Sequence, residues 1–99
     1  MDTSPYNLEI KEECDKIFQK LEKKDLKQLS IIGKKITEIR AAPFGYKFLR
    51  KPFQGFNRVH IDSHFVMIFH IDHRQRLVTV HYFDHHDDVY KWRPEASTI

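Results

Sequence analysis

The first half of the chain has the hydrophobic period of two amphipathic helices. Apolar residues recur at three- and four-residue steps after Lys11 and again after Asp25, and charged residues fill the opposite faces. Few residues separate the two patterns, so we expect an antiparallel helical hairpin with Asp25 as the second N-cap. Gly33 costs about 1 kcal/mol relative to alanine inside a helix, which is tolerable at a close helix contact. The apolar stripes are Ile10, Cys14, Ile17, Phe18 and Leu21, then Leu26, Leu29, Ile32, Ile36 and Ile39.

The second half has the two-residue period of β-strands. Three runs rich in β-branched and aromatic residues occupy 56–62, 64–72 and 77–83. The polar connections between these runs have hairpin length, so the runs predict an antiparallel meander. Near the start of the chain, residues 5–10 alternate in the same way and predict an opening strand.

The segment 44–55, between the helices and the meander, is basic, aromatic and irregular. Pro52 and Gly55 break any regular pattern within it, and a short strand is predicted only at 46–49. The segment is therefore expected to be a connection that carries positive charge.

Alternation along the strands also assigns the two faces of the sheet. One face is apolar and is expected to lie under the helices: Val59, Ile61, Phe65, Met67, Phe69, Ile71, Val78, Val80 and Tyr82. The other face is expected to stay open and to present Arg58, His60, His64, His70, Thr79 and His81. The sequence thus predicts an α+β fold, with a two-helix antiparallel hairpin on one face of a three- or four-stranded twisted antiparallel sheet.

Length and composition predict a single domain over residues 1–99, with frayed ends at 1–5 and 93–99. No secretory signal or apolar span is evident, and Cys14 has no second cysteine to pair with, which favours a cytoplasmic protein. The net charge of +3 is a mild bias that does not identify a partner.

All seven histidines lie between His60 and His86. On an open face beside Lys47, Arg50 and Lys51, imidazoles favour the binding of a polyanion. A metal site is the rival interpretation, because imidazole is a common ligand of zinc, copper and nickel, although neither HExxH nor a paired CxxC is present. The candidate metal clusters are His85, His86, Asp87 and Asp88, or His60 with His81. Glycine-rich phosphate loops and GxSxG elbows are absent, which excludes those enzyme classes.

The order of these elements, ending in DHHDDVYKW at 84–92, resembles the RelE/ParE superfamily of type II toxins over residues 6–92. HFVMIFHID is similar to the second meander strand of the family, and KPFQGFNRVHI is similar to the loop and strand before it. The resemblance implies a RelE-like fold and a ribosome-dependent messenger-RNA endonuclease that is neutralised by a cognate antitoxin.

The resemblance also implies site residues and partners. The expected substrate is messenger RNA in the ribosomal A site, attacked by its own 2′-hydroxyl, with no cofactor, metal or membrane involved. By position the resemblance implies catalytic roles for Arg58, His60 and Tyr90, and the imidazoles of His81 and His85 are further candidates for catalytic proton transfer. The expected RNA-binding residues are Lys47, Arg50, Lys51, His64, His70 and His86.

The chain departs from the family pattern at Val66, where an arginine is expected on the open face. An apolar residue cannot stabilise phosphate charge, so either Arg58 and the histidines replace that arginine or nuclease activity is lost. The alternatives are therefore a ParE-like gyrase inhibitor, a catalytically degenerate binding protein of the same fold and a histidine-rich metal-binding domain.

Overall fold

The computed structural model describes residues 3–94 and has the α+β architecture that the sequence predicts. The sheet order is β1-β4-β3-β2, with β1 parallel to β4 and the other neighbours antiparallel. No helix in residues 3–94 is long and apolar enough to cross a membrane. The elements are β1 (Asn7–Ile10), α1 (Glu12–Lys24), α2 (Leu26–Ala41), β2 (Asn57–Ile61), β3 (Phe65–Asp72), β4 (Leu77–His85) and a 3-10 helix at Val89–Lys91.

Asp25 alone joins the two helices and, as predicted, caps the second one. Its carboxylate accepts a hydrogen bond from the backbone N–H of Gln28 at 3.0 Å, which satisfies one of the free donors in the first turn of α2. Gly33 does not lie at a close helix contact, because the residue is exposed and a Cβ there would meet nothing within 4 Å.

The helices cover one face of the sheet and form the larger core with it, as the apolar stripes predict. Cys14 and Ile39 are completely buried against strand residues such as Met67 and Phe69. Burial raises the pKa of the Cys14 thiol to about 12, with smaller contributions from Glu13 and Asp15, so this cysteine is a small core residue and not a nucleophile.

A β-bulge in β4 changes the faces predicted for the end of that strand. Ile68 pairs with Tyr82 whereas Phe69 pairs with Val80, which leaves His81 as an extra residue without a partner on β3. The extra residue reverses the alternation after it. Phe83 therefore lies in the helix-side core and Tyr82 lies on the opposite face, whereas uninterrupted alternation would place Tyr82 under the helices and Phe83 on the opposite face.

The predicted open face is wrong for its central part, which carries a second, smaller core. Val66 and Ile68 are fully buried there, because the loop before β2 and the segment after β4 fold back over them. Trp92 stacks on Tyr82 with ring centroids 5.6 Å apart, which closes this core from the C-terminal side. We call this set the second core: Phe56, Val66, Ile68 and Val89, with Leu49, Tyr82, Tyr90 and Trp92 packed against them.

The predicted frayed ends fall partly outside the described residues, namely at residues 1–2 and 95–99. Within the described part, residues 3–5 and 93–94 have no regular secondary structure. The guanidinium of Arg93 still donates to the carbonyl of Tyr90 at 2.7 Å, so the chain remains attached to the second core up to this residue.

Candidate nucleic-acid interface

A cleft of about 840 Å³ lies between the loop before β2 and the 3-10 helix. Its described lining contains no carboxylate, and it brings together four cationic side chains, those of Lys47, Arg50, Lys51 and Arg58. We call this the basic cleft, lined by Gly45, Tyr46, Lys47, Phe48, Leu49, Arg50, Lys51, Phe53, Arg58 and Tyr90. Such a concentration of one charge sign attracts a polyanion.

Residues 44–55, which we call the basic loop, are held against β2 by a buried amide. The side-chain NH₂ of Asn57 donates to the carbonyls of Tyr46 and Lys47, at 3.3 and 2.9 Å, while its own oxygen has no partner in the described residues. The strand predicted at 46–49 is reduced to a single bridge between Phe48 and Asn57. Asn57 was not predicted from the sequence, because its side-chain partners are backbone atoms about ten residues earlier, which no local pattern reveals.

Arg58 and Tyr90 meet at the wall of the basic cleft. The Arg58 guanidinium donates a hydrogen bond to the Tyr90 hydroxyl oxygen and lies 5.9 Å from the centroid of the same ring. The 3-10 helix that carries Tyr90 packs this ring edge-on against Phe53, with centroids 6.0 Å apart. Since the tyrosine oxygen accepts from Arg58, its own hydrogen is free to donate to another acceptor.

Two aromatic rings of the basic cleft were also missed as individual residues, although the loop was recognised as aromatic. Phe48 is 68% exposed, an unusual position for a large apolar ring in a cationic surface. Phe53 is buried and stacks on Trp92 at 6.3 Å. Phe48 is thus available to stack on a nucleobase, whereas Phe53 supports the wall.

The histidines do not share one surface. His60 is exposed on β2, two residues from Arg58 and on the same side of the strand. His70 is half-buried, with its Nδ1 bonded to the carbonyl oxygen of Gly55 at 2.8 Å. His81, the bulge residue, is only 5% exposed and lies edge-on to Phe56 in the second core. The prediction that His81 lies on an open face with Arg58 is therefore wrong.

Burial also removes the charge from His81. Its pKa is lowered to about 4, first by loss of solvent and then by the nearby charges of Lys11 and His70. The ring is neutral at pH 7 and has no path to a substrate, so we do not place it among the catalytic groups.

Three further histidines gather at one end of the sheet, away from the basic cleft. His85 ends β4, His64 precedes β3, and the His86 backbone N–H donates to the His64 carbonyl at 2.8 Å. The three rings lie 4.4 to 6.2 Å apart between centroids. We call His64, His85 and His86 the histidine cluster; none of them lines the basic cleft with Arg58 and Tyr90.

Comparisons with known proteins place the chain among toxins. It is 49% identical over 86 residues, 87% of this chain and 92% of the relative, to the candidate toxin RelE4 of Methanocaldococcus jannaschii. It is also 49% identical to an uncharacterized protein of Methanosarcina mazei, over 86% of this chain and 99% of that one. No family model matches the sequence.

Solved structures share the fold at low identity. The RelBE2 toxin-antitoxin complex of Mycobacterium tuberculosis gives a TM-score of 0.70 at 18% identity, covering 88% of this chain and 98% of that one. The YoeB/ParE toxin of Agrobacterium tumefaciens gives a TM-score of 0.73 at 13% identity, covering 81% of this chain and 98% of that one. A mutant of the Escherichia coli toxin RelE in the free state gives 0.69 at 15% identity, with 87% and 88% covered.

Proposed function

The chain belongs to the RelE family of toxins, and we propose that it is an endoribonuclease that cuts messenger RNA on the ribosome. The observation that carries the proposal is the hydrogen-bonded pair of Arg58 and Tyr90 in the wall of a carboxylate-free basic cleft. Lys47, Arg50 and Lys51 bind the phosphates on either side of the scissile one, and Phe48 stacks on a base.

The chemistry of this site is attack by the RNA's own 2′-hydroxyl on the adjacent phosphorus. The O2′–P bond forms, the P–O5′ bond breaks, and a proton leaves O2′ while another reaches O5′. Arg58 stabilises the negative charge of the pentacovalent phosphate, and Tyr90 donates its free hydroxyl hydrogen to a phosphate or leaving-group oxygen. No metal or cofactor takes part in these steps.

His60 is the titratable group placed to accept the 2′-hydroxyl proton. It extends from the same side of β2 as Arg58, at a spacing of about 7 Å for residues two apart in a strand. The histidines His81 and His85 lie elsewhere, so this chain brings few proton-transfer groups to the cleft. A substrate geometry imposed by the ribosome accounts for how so sparse a site works.

A protein antitoxin is the second partner we propose. The fold neighbours include the RelBE2 complex and the YoeB–YefM complex of Staphylococcus aureus, each solved as toxin with antitoxin. An antitoxin that covers the basic cleft would neutralise the site.

The test is translation in a cell-free system, with messenger-RNA 5′ ends mapped by primer extension. Wild-type protein should produce new ends at ribosome-occupied codons, and Arg58→Ala should abolish them. Arg74→Ala is the matched control, because Arg74 is exposed in the β3–β4 turn and does not line the basic cleft. Circular dichroism of each variant verifies the fold.

Intact message in the presence of wild-type protein would overturn the nuclease proposal. Inhibition of DNA gyrase by the same preparation would then identify a ParE-like activity. Equal loss of cleavage in Arg58→Ala and Arg74→Ala would show that general positive charge, and not the Arg58–Tyr90 pair, drives cleavage.

A further inference from the structure

The histidine cluster brings three imidazoles to one point of the surface. One ring nitrogen from each of His64, His85 and His86 lies within 4.8 Å of the other two. The pairing of β3 with β4 builds the cluster, since Phe65 lies opposite His85 and the next residues outward are His64 and His86. Solvent reaches it, because the side chains of His85 and His86 are 36% and 44% exposed.

Hydrogen bonds to the backbone fix where the lone pairs of two neutral rings lie. Nδ1 of His86 is 3.2 Å from the carbonyl oxygen of His64, which only accepts, so Nδ1 carries the hydrogen and Nε2 has the lone pair. Nδ1 of His85 accepts from the backbone N–H of Asp87 at 3.1 Å, so its lone pair is on Nδ1, and this hydrogen bond gives way when Nδ1 binds an ion. A carbonyl that orients an imidazole in this way is the usual outer partner of a metal-ligating histidine.

The carboxylate of Asp87 faces both of these lone pairs. One oxygen lies 3.4 Å from Nε2 of His86, and the other lies 3.4 Å from Nδ1 of His85. Neutral acceptor nitrogens and carboxylate oxygens repel one another unless a cation lies between them. The arrangement therefore calls for a positive charge, which either a proton or a metal ion supplies.

The set of donors selects the kind of ion. Three imidazoles with one carboxylate suit zinc, nickel or copper(II), and do not suit magnesium or calcium, which prefer oxygen ligands. Ligand nitrogens of a tetrahedral zinc lie roughly 3.4 Å apart. The nitrogens here therefore need to approach by about an ångström, which exposed side chains achieve by small rotations.

We propose that His64, His85 and His86 bind one divalent transition-metal ion, with Asp87 as a fourth donor. The site is distinct from the basic cleft: Arg58 pairs with Ile68 on β3, three residues or about 10 Å along the strand from Phe65, which pairs with His85. The ion ties the residue that precedes β3 to the end of β4 and stabilises this end of the sheet.

The test uses untagged full-length protein, freed of metal by chelator and titrated with zinc, nickel or copper(II) chloride at pH 7.5 in a non-coordinating buffer. Isothermal titration calorimetry should give one ion per chain, and the melting temperature should rise with the ion and fall again with EDTA. His64→Gln and His86→Gln should each weaken binding on the order of 100-fold, and Asp87→Asn about 10-fold.

His60→Gln is the matched control, since it removes an exposed imidazole outside the cluster and should leave metal affinity unchanged. Two-dimensional ¹H–¹⁵N spectra of the histidine rings provide a readout independent of stability: zinc should shift the resonances of the three cluster rings and not those of His60. Absence of stoichiometric binding overturns the proposal and leaves a proton as the cation. Equal weakening in His60→Gln and His86→Gln overturns it as well.

Discussion

The basic cleft and the histidine cluster are built from neighbouring strands of one sheet, yet they suit ligands of opposite charge. The basic cleft presents donor groups, four cations and a tyrosine hydroxyl, with no carboxylate in its described lining. The histidine cluster presents acceptors, the lone pairs of imidazoles beside the carboxylate of Asp87. The first arrangement suits an anion and the second suits a cation.

The second core separates these two regions. Val66, a fully buried member of the second core, lies between Ile68, which pairs with Arg58, and Phe65, which pairs with His85. The seven histidines, which lie within 27 residues of sequence, therefore occupy several different environments. Clustering along the chain is not clustering in space, because strands place neighbours in sequence on opposite faces.

Breaking the Arg58–Tyr90 pair should have the largest effect on activity. Removal of a group that stabilises transition-state charge costs roughly 10²- to 10³-fold in rate, and we expect Arg58→Ala to lose this much cleavage. Tyr90→Phe keeps the ring packed on Phe53 and should lower the cleavage rate about 10-fold, which corresponds to the loss of roughly one hydrogen bond. Single-turnover cleavage on stalled ribosomes measures each rate.

The double variant decides how Tyr90 acts. If its hydroxyl works only by orienting Arg58, Arg58→Ala with Tyr90→Phe should be no slower than Arg58→Ala. If the hydroxyl also donates to the phosphate, as we propose, the double variant should be slower than either single one. Rates equal to that of Arg58→Ala would restrict Tyr90 to a positioning role.

Acid should weaken the second core through His81. The folded protein keeps this ring neutral, with its pKa lowered from 6.5 to about 4, whereas the unfolded chain takes up the proton near pH 6.5. Stability is therefore complete above pH 6.5 and is lost as the pH falls toward 4, by about 3 kcal/mol in total. Urea unfolding of wild type and His81→Gln at pH 7.5 and 4.5 measures how much unfolding free energy each protein loses between the two pH values.

His60→Gln serves as the control for that pH dependence, because His60 is exposed. It should keep the wild-type loss of stability between the two pH values, while His81→Gln should lose less. Parallel losses in wild type and His81→Gln would mean that protonation of the second core does not limit stability in acid.

Loosening the basic loop should change ligand binding in the basic cleft and not in the histidine cluster. Asn57→Ala removes two hydrogen bonds and leaves the carbonyls of Tyr46 and Lys47 without these donors, a loss of about 1–3 kcal/mol in unfolding free energy. RNA affinity should fall with it, because Lys47 is no longer held in the basic cleft. Metal affinity of the histidine cluster should be unchanged, and a parallel fall there would show that the two regions are coupled.

The sequence predicts the fold well, because the signals that define it are local and periodic. Two stripes at helical spacing and three alternating runs gave both helices and the meander, and Asp25 was recognisable as an N-cap from its position alone. The resemblance to RelE toxins was equally accessible, since it depends on the order of these elements and on the motif at 84–92.

The candidate site was less accessible, because its geometry depends on departures from regular period. A single bulge at His81 reversed the faces of Tyr82 and Phe83, and none of the residue types at 81–83 indicates a bulge. Trp92 folds back over the sheet and stacks on Tyr82, and the alternation of residues along a strand does not predict such a contact. Lys47, Arg50, Lys51, Arg58 and Tyr90 were all named from the sequence, whereas Asn57 and Phe48 required coordinates.

The smallest expected effect comes from a substitution in α2, outside the basic cleft and the histidine cluster. It checks that a change in stability alone does not alter RNA cleavage or metal binding. Gly33→Ala, in an exposed position of α2 with nothing within 4 Å of the added Cβ, should raise the free energy of unfolding by about 0.5–1 kcal/mol. Neither RNA cleavage nor metal binding should change. Gly45→Ala, in the lining of the basic cleft, makes the same chemical change at φ +88°, where a Cβ is strained, so it should lower the free energy of unfolding by about 1 kcal/mol. Urea denaturation measures the change in the free energy of unfolding for both variants. A change of the same sign in both would mean that backbone conformation does not decide whether alanine stabilises or destabilises these positions.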